Sequence, residues 1–226
     1  MKLRVRFTKW GVVKYIGHLD LLRYFQKAFR RTDTRVVYSK GFSPHMIMSF
    51  ASPLGVGMEG YSEYFDVEVE EGTDPLTVKE QLNSTMAEGI EVLDVIPLPD
   101  SFGNAMASVA ASDYELEFYK ENPLSLDLIE TFKKAESVPF LKEQKSGTVT
   151  VNVKDLVYEI RLVSDNVLFA KVDSSSSANL RPSALATALL ALKGMDLSDY
   201  PMHIKRRELY RRNSKGELVS LGDTDD

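Results

Sequence analysis

The amino-acid sequence predicts an α+β protein made of two tandem ferredoxin-like (split βαβ) domains with antiparallel sheets. Strand-like alternation and helix-like periodicity follow one another in the order β-α-β-β-α-β over residues 1–98. Residues 113–213 repeat this general order, and residues 99–112, which are rich in small residues and breakers, are interpreted as a linker. Residues 214–226 end in acidic side chains and are expected to form a flexible tail.

The first predicted strand, residues 2–8, alternates apolar side chains with Lys2, Arg4 and Arg6. This pattern predicts one buried face and one solvent-exposed, basic face. We therefore expect that reversing the charges of Arg4 and Arg6 weakens polyanion binding with little loss of stability. The rest of this domain is predicted as a helix over 18–31, a strand near 35–38, a segment near 46–51, a strand over 62–71, a helix opened by Asp74-Pro75 and stopped by Gly89, and a strand over 90–98.

The second domain is predicted from the same two periodicities. Its elements are a strand over 114–119, a helix over 125–135, a strand near 149–153, a hairpin of 157–163 with 167–172, a helix over 182–192 and a strand over 200–210. The two halves share element order only, because their sequences show no useful identity.

Composition excludes several classes of function. The chain has 226 residues, 43% of them hydrophobic, and no cysteine, which excludes disulfides, thiolate zinc sites, iron–sulfur ligation and a cysteine nucleophile. The start MKLRVRF lacks the apolar region of a signal peptide, and no apolar stretch approaches eighteen residues. We expect a cytoplasmic protein with no membrane partner, no metal and no cofactor.

The charges are distributed unevenly along the chain. The net charge is −5, yet residues 1–50 hold eleven Lys or Arg against two Asp, and residues 202–215 hold six Lys or Arg against one Glu. Such concentrated basic segments favour a localised polyanion site. The alternative is that these cations pair with the acidic remainder of the chain.

The helix over 18–31 and the loop after it contain most of the candidate functional groups. His18 and His45 are the candidates for acid–base chemistry, because histidine titrates near neutral pH. We expect the loop Ser39–His45 to form a ligand pocket with His18 and Arg31. Asp20 could cap the helix, and Glu63 could form a salt bridge or contact a ligand. The candidate binding residues are Arg4, Arg6, His18, Asp20, Arg23, Arg30, Arg31, Ser39, Lys40, Gly41, Ser43, His45 and Glu63.

Three runs of sequence resemble a known family. GHLDLLRYFQKAFRR, YSKGFSPH and SFASPLGVGMEGYSEYFDVEV are similar to the bacterial radical-SAM-linked proteins, found beside or fused behind a cobalamin-binding radical-SAM protein. The resemblance is close over residues 1–98 and looser beyond, and it departs at Met46-Ile47-Met48, where a second Pro and a Lys would be expected. It implies a cobalamin-binding radical-SAM protein as the partner.

Three functions follow as expectations. The first is an accessory module that presents an RNA, of the rRNA or tRNA class, to a radical-SAM enzyme; the basic residues and the aromatic residues Trp10, Tyr15, Tyr24, Tyr38 and Phe42 are typical of single-stranded RNA binding. The second is a metal-independent RNA endonuclease of the tandem ferredoxin-like type, with a histidine as general acid or base. The third is a purely protein-binding subunit whose acidic second half is the docking surface.

Overall fold

The computed structural model describes residues 1–99, 101–144 and 147–224. It confirms an α+β protein. The chain divides into two compact units, of which unit 1 comprises Met1–Ala110 with Arg206–Asp226 and unit 2 comprises Ala111–Lys205. No helix among the described residues is long and apolar enough to cross a membrane.

Unit 1 contains a sheet with helices on both faces. Its elements are β1 (Lys2–Lys9), a 3₁₀ helix (Gly11–Tyr15), α1 (His18–Phe29), β2 (Met48–Phe50), β3 (Glu59–Glu68), α2 (Pro75–Asn83), β4 (Val92–Leu98), α3 (Ala105–Ser108), the end of β10 (Met202–Arg212) and β11 (Leu218–Ser220). Helices α1 and α2 lie on one face of the sheet, and the short helix α3 lies on the other. Strand β1 lies between β3 and β4 and is antiparallel to both, and β2 pairs antiparallel with β3. The side chain of Asp74 caps α2, as predicted, by accepting hydrogen bonds from the N–H groups of Leu76 and Thr77.

Six of the eight residues of β1 are buried, and they include residues on both faces of the strand. Leu3, Val5 and Phe7 are fully buried in the core that α1 and α2 cover with Phe25 and Leu82, among others. The opposite face is covered by a second apolar cluster of Ala51, Tyr64, Ala105, Val109, Leu209 and Leu221. A strand of alternating sequence is therefore enclosed on the face predicted to meet solvent.

Unit 2 contains a three-stranded antiparallel core and a separate hairpin. Its elements are β5 (Ala111–Phe118), α4 (Leu126–Lys134), β6 (Pro139–Gln144), β7 (Gly147–Asn152), 3₁₀ helices (Val153–Leu156 and Leu197–Asp199), β8 (Val157–Ser164), β9 (Val167–Asp173), α5 (Pro182–Ala191) and the first residues of β10. Strand β9 pairs with β5 on one side and with β8 on the other. Strands β6 and β7 pair only with each other in the described part of the chain.

Three predicted segments differ in the structure. Residues 35–38 contribute only the isolated bridges of Val36 with Val69 and of Tyr38 with Met46, and the strand of this region is β2. The predicted linker contains α3, because Asn104 caps a short helical turn and Ala105 is buried. The predicted flexible tail contains β11, because the apolar residues at 218–221 pair with β10 and bury Leu221 completely; Asp225 and Asp226 lie outside the described residues.

Candidate functional site

The second apolar cluster encloses the basic face predicted for β1 at Arg4 but only partly at Arg6. Arg4 is fully buried, and its guanidinium binds both carboxylate oxygens of Asp66, with Nε–Oδ1 at 2.8 Å and Nη2–Oδ2 at 3.1 Å. Its Nη1 donates to the carbonyl of Leu221 at 2.8 Å. The expectation that Arg4 faces solvent is therefore wrong. The register of β1 and β3 sets Asp66 opposite Arg4. Because Arg4 also donates to Leu221, it connects the C-terminal segment of unit 1 to the sheet.

Arg6, on the same face of β1, is only partly enclosed. Its side chain is 37% exposed and pairs with Glu208, with Nη2–Oε2 at 3.2 Å. The hydroxyl of Ser62 accepts from Nε and Nη2 at 3.0 and 2.6 Å, and the Tyr64 hydroxyl donates to the other oxygen of Glu208 at 2.7 Å. Burial raises the pKa of the Glu208 carboxyl, and burial with the neighbouring Glu208 raises the pKa of Tyr64. Arg6 thus belongs to a half-buried polar network.

Glu63 forms a buried salt bridge. It is 3% exposed, its Oε1 accepts from Arg206 Nε at 2.8 Å, and its Oε2 pairs with Arg206 Nη2. Arg206 also donates to the carbonyl of Ser52 at 2.8 Å. Of the two roles predicted for Glu63, the structure therefore shows the salt bridge, and its partner belongs to the second basic segment.

Sequence reasoning missed Asp66, Arg206 and Glu208, the partners of these buried charges. A local pattern does exist for Asp66. Tyr64 and Asp66 alternate on β3 as Arg4 and Arg6 do on β1, and an antiparallel pairing of the two strands sets a carboxylate opposite a guanidinium. No local pattern identifies Arg206 or Glu208, because they lie about 140 to 200 residues away from their partners.

The loop Ser39–His45 is closed by its own end residues. The N–H of Ser39 donates to the carbonyl of His45 at 2.8 Å, and the Ser39 hydroxyl lies 2.9 Å from His45 Nδ1 and accepts from the His45 N–H at 3.1 Å. Gly41 adopts φ 117°, a value that favours glycine. Lys40, Phe42 and Ser43 are exposed.

His45 lines a groove of about 190 Å³ whose lining also includes Lys2, Asp66, Glu68 and Asn104. Neither His18 nor Arg31 lines this groove. The structure therefore does not bring together the pocket predicted from the sequence.

The start of α1 carries His18, Asp20 and Arg23. The ring of His18 packs edge-on against Phe50, with ring centroids 5.3 Å apart. Asp20 lies in the first turn and pairs with Arg23 at 3.2 Å, and both side chains are more than two-thirds exposed. The N-cap residue of α1 is Gly17, which has no side chain to accept a hydrogen bond. An exposed pair of this kind adds at most about 1 kcal/mol, so Arg23 remains available to an external anion.

A cationic groove lies at the C-terminal end of α1. Tyr24, Lys27, Arg30 and Arg31 line it, and its volume is about 430 Å³. Lys27, Arg30 and Arg31 are exposed, and within the ranges that the structure describes none of the three has a carboxylate within ion-pair distance. The groove is bordered by residues before β4, since Arg31 Nη2 donates to the carbonyl of Thr85 at 3.0 Å. Three cations around a concave surface can hold a phosphate or another multivalent anion.

Arg23 extends the cationic groove along the helix. Arg23 and Lys27 are spaced i and i+4 within α1, and Arg30, at i+7, is its C-cap in a helical conformation, so the three lie along one exposed face. Arg31 follows directly after the C-cap. We call Arg23, Lys27, Arg30 and Arg31 the cationic stripe. The buried residues of the helix, which include Leu21, Phe25 and Phe29, occupy the other side.

The fold and this site together define an α+β protein of two compact units, the first with a cationic groove on its first helix. The chain belongs to the DUF2344 family, described as an uncharacterized protein conserved in bacteria, whose family model matches residues 2–182. No curated protein sequence matches the chain.

Several solved structures are similar over most of the chain. A chain in the crystal structure of a Cbf5-Nop10-Gar1 complex has a TM-score of 0.49 and 12% identity, with 92% of this chain and 48% of that chain covered. A chain in the structure of an H/ACA RNP bound to a substrate RNA containing 2′-deoxyuridine has a TM-score of 0.48 and 12% identity, with 90% and 46% covered.

A third match is the crystal structure of an unknown protein from Galdieria sulphuraria, with a TM-score of 0.27 and 11% identity, covering 91% of this chain and 97% of that one. The chain spans about half the length of the first two chains. Similarities at these TM-scores and identities support no functional inference.

Proposed function

We propose that the protein binds RNA through the cationic groove of α1 and acts as an accessory module of a radical-SAM enzyme, presenting an RNA of the rRNA or tRNA class. The observation that carries the RNA-binding part is the set of three exposed cations around one groove, Lys27, Arg30 and Arg31, which have no carboxylate within ion-pair distance among the residues that the structure describes. Other cations near the start of the chain already have partners: Arg4 pairs with Asp66, Arg6 with Glu208 and Lys14 with Glu59.

The proposal is tested by measuring the affinity of the full chain for a fluorescent tRNA at several salt concentrations. Reversing two charges, Arg30→Glu with Arg31→Glu, should weaken binding and reduce the slope of log affinity against log salt by roughly 1.4 to 1.8, because each phosphate contact contributes about 0.7 to 0.9. The matched control is Lys120→Glu with Lys215→Glu, which reverses two exposed cations elsewhere. Equal losses in both variants would show that binding depends on net charge alone.

The radical-SAM partner rests on the sequence resemblance. Its test is co-expression with a cobalamin-binding radical-SAM protein of the same organism, followed by size-exclusion chromatography of the mixture. A stable complex supports the accessory role, whereas separate elution of two folded proteins contradicts it.

Of the two alternatives, the geometry does not favour the endonuclease. His18 contacts Phe50 and His45 bonds to Ser39, so the two candidate acid–base groups do not line one groove. A nuclease assay with the same labelled tRNA separates binding from cleavage.

The purely protein-binding subunit is favoured by exposed apolar residues such as Val12 and Val56. The absence of tRNA binding in the assay above would support it.

We infer that both units are ferredoxin-like. The support in unit 1 is the order β1-α1-β2-β3-α2-β4 with β1 between β3 and β4 and β2 beside β3. The support in unit 2 is β9 between β5 and β8, with α4 before β8 and α5 after β9. An experimental structure tests this assignment.

A further inference from the structure

The segment between β1 and α1 presents an unusual group of exposed aromatic and aliphatic side chains. Trp10 is 38% exposed, Val12 80%, Tyr15 66% and Leu19 63%. Groups of exposed apolar side chains mark interaction sites on proteins, so these four side chains, which are close together in sequence, indicate a binding surface.

Backbone hydrogen bonds fix this segment in place. The N–H of Trp10 donates to the carbonyl of Gly89 at 2.9 Å, and the N–H of Gly57 donates to the carbonyl of Lys14 at 3.0 Å. The buried ammonium of Lys9 donates to the carbonyls of Lys14 and Ile16 at 3.2 and 2.8 Å. The exposed rings are therefore carried by an ordered segment, which lowers the entropy that a ligand must remove on binding.

Tyr15 is held by its own neighbour. The ammonium of Lys14 lies 5.6 Å from the centre of the Tyr15 ring and pairs with Glu59 at 3.2 Å. The ring remains exposed despite this contact, so its free surface is available for stacking.

The rings lie just before α1, and the cationic stripe runs from the middle of the helix to its C-terminal end. Tyr15 is three residues before α1, whose twelve residues span about 18 Å. Leu19, at the start of the helix, precedes Arg23 by four residues and so continues the exposed stripe toward the rings. Cations that track a backbone and rings on which bases stack are the two parts of single-strand recognition.

We propose that unit 1 binds single-stranded RNA along α1, with bases stacked on Trp10 and Tyr15 and phosphates bound by the cationic stripe. The proposal rests on the RNA-binding function above and specifies the unpaired state of the substrate. Bases in a duplex are stacked within the helix and present no free face to the rings, so an unpaired loop or end is the preferred form.

Trp10 is the only tryptophan in the sequence, so its emission reports directly on the proposed stacking. The full chain is titrated with an oligouridylate of about twelve nucleotides, within the range of single-strand site sizes, and with a duplex RNA of the same length. The oligouridylate should quench the emission saturably, and the duplex should leave it nearly unchanged. Equal quenching by both would overturn the proposal.

Variants separate stacking from general apolar contact. Tyr15→Ala should weaken oligouridylate binding by about tenfold or more, whereas Tyr15→Phe should keep it, because the ring is retained. Leu76→Ala removes a side chain of α2 that is 65% exposed, close to the 66% of Tyr15, and lies outside the proposed surface, so it should change the affinity less than about twofold. Circular dichroism of each variant shows whether it is folded.

The outcomes distinguish this proposal from the one it rests on. If Arg30→Glu with Arg31→Glu weakens tRNA binding but Tyr15→Ala has no effect on oligouridylate binding, the stacking proposal fails and the RNA-binding function stands. If neither RNA binds the folded chain, both fail, and the exposed apolar segment is better explained as a protein interface.

Discussion

The cations of β1 and the cations of α1 come from the same basic stretch of sequence but have opposite environments. Arg4 is fully buried and bound to both oxygens of Asp66. Arg30 is exposed beside a groove, and among the described residues it has no carboxylate within ion-pair distance. A count of cations therefore does not locate an anion site, because the carboxylates on neighbouring strands determine which cations remain available.

The largest effect is expected from breaking the buried pair. Asp66→Ala leaves the guanidinium of Arg4 buried without its carboxylate, at side-chain exposures of 0% and 6% for the two residues. Removing one member of such a pair costs about 3–5 kcal/mol of the free energy of unfolding. Urea denaturation followed by circular dichroism measures the loss.

The double variant Arg4→Met with Asp66→Leu sharpens this test. Replacing both partners with apolar side chains removes the unpaired charge, so its stability should lie closer to the wild type than that of Asp66→Ala. If Asp66→Ala proves as stable as the wild type, the pair is not the buried contact described above.

A smaller effect is expected at Glu208, where the charge network is half-buried. Its carboxyl has a raised pKa, chiefly because of burial, so the folded state holds the proton more tightly than the unfolded state does. The free energy of unfolding that this group contributes therefore falls as pH rises from about the ordinary value of 4.5 through the raised pKa. Glu208→Gln removes this titration and keeps an acceptor for Tyr64.

Denaturation of Glu208→Gln and of the wild type between about pH 4 and 8 measures the effect. The stability of the variant relative to the wild type should increase with pH over that window and then level off. A relative stability that decreases with pH would mean that the ion pair with Arg6 lowers the pKa of Glu208 more than burial raises it.

Much of the fold could be predicted because its elements have local patterns. Alternation marks β1, β3 and β4, and the Asp74-Pro75 pair marks the start of α2. The return of β10 and β11 to unit 1 could not be predicted, because the sequence of a strand does not specify which distant strand it pairs with. The covering of the second sheet face by Leu221 depends on that return.

In the candidate site, too, features that depend on local sequence could be predicted and features that depend on distant residues could not. The exposed positions of Arg23, Arg30 and Arg31 follow from helical periodicity, which is local. The burial of Arg4 depends on Asp66 and Leu221, which are 62 and 217 residues away. Sequence alternation distinguishes the two faces of a strand but does not tell whether a further layer covers the polar one.

The smallest effect on stability is expected at Arg31, which tests whether the groove is a binding site or a structural contact. Arg31 donates to the carbonyl of Thr85, whereas the side chain of Arg30, one residue earlier at the same helix end, makes no hydrogen bond or ion pair within the part of the chain that the structure describes. Arg31→Gln and Arg30→Gln remove the same charge from the same end of the helix dipole, so each should cost about 0.5 kcal/mol or less. Both should weaken tRNA binding to a similar degree, as measured by fluorescence anisotropy. Arg31→Gln could instead lower the free energy of unfolding much more than Arg30→Gln does and leave the tRNA affinity unchanged. Arg31 would then be a structural cation like Arg4, and the assignment of the groove as a binding site would rest on two charges instead of three.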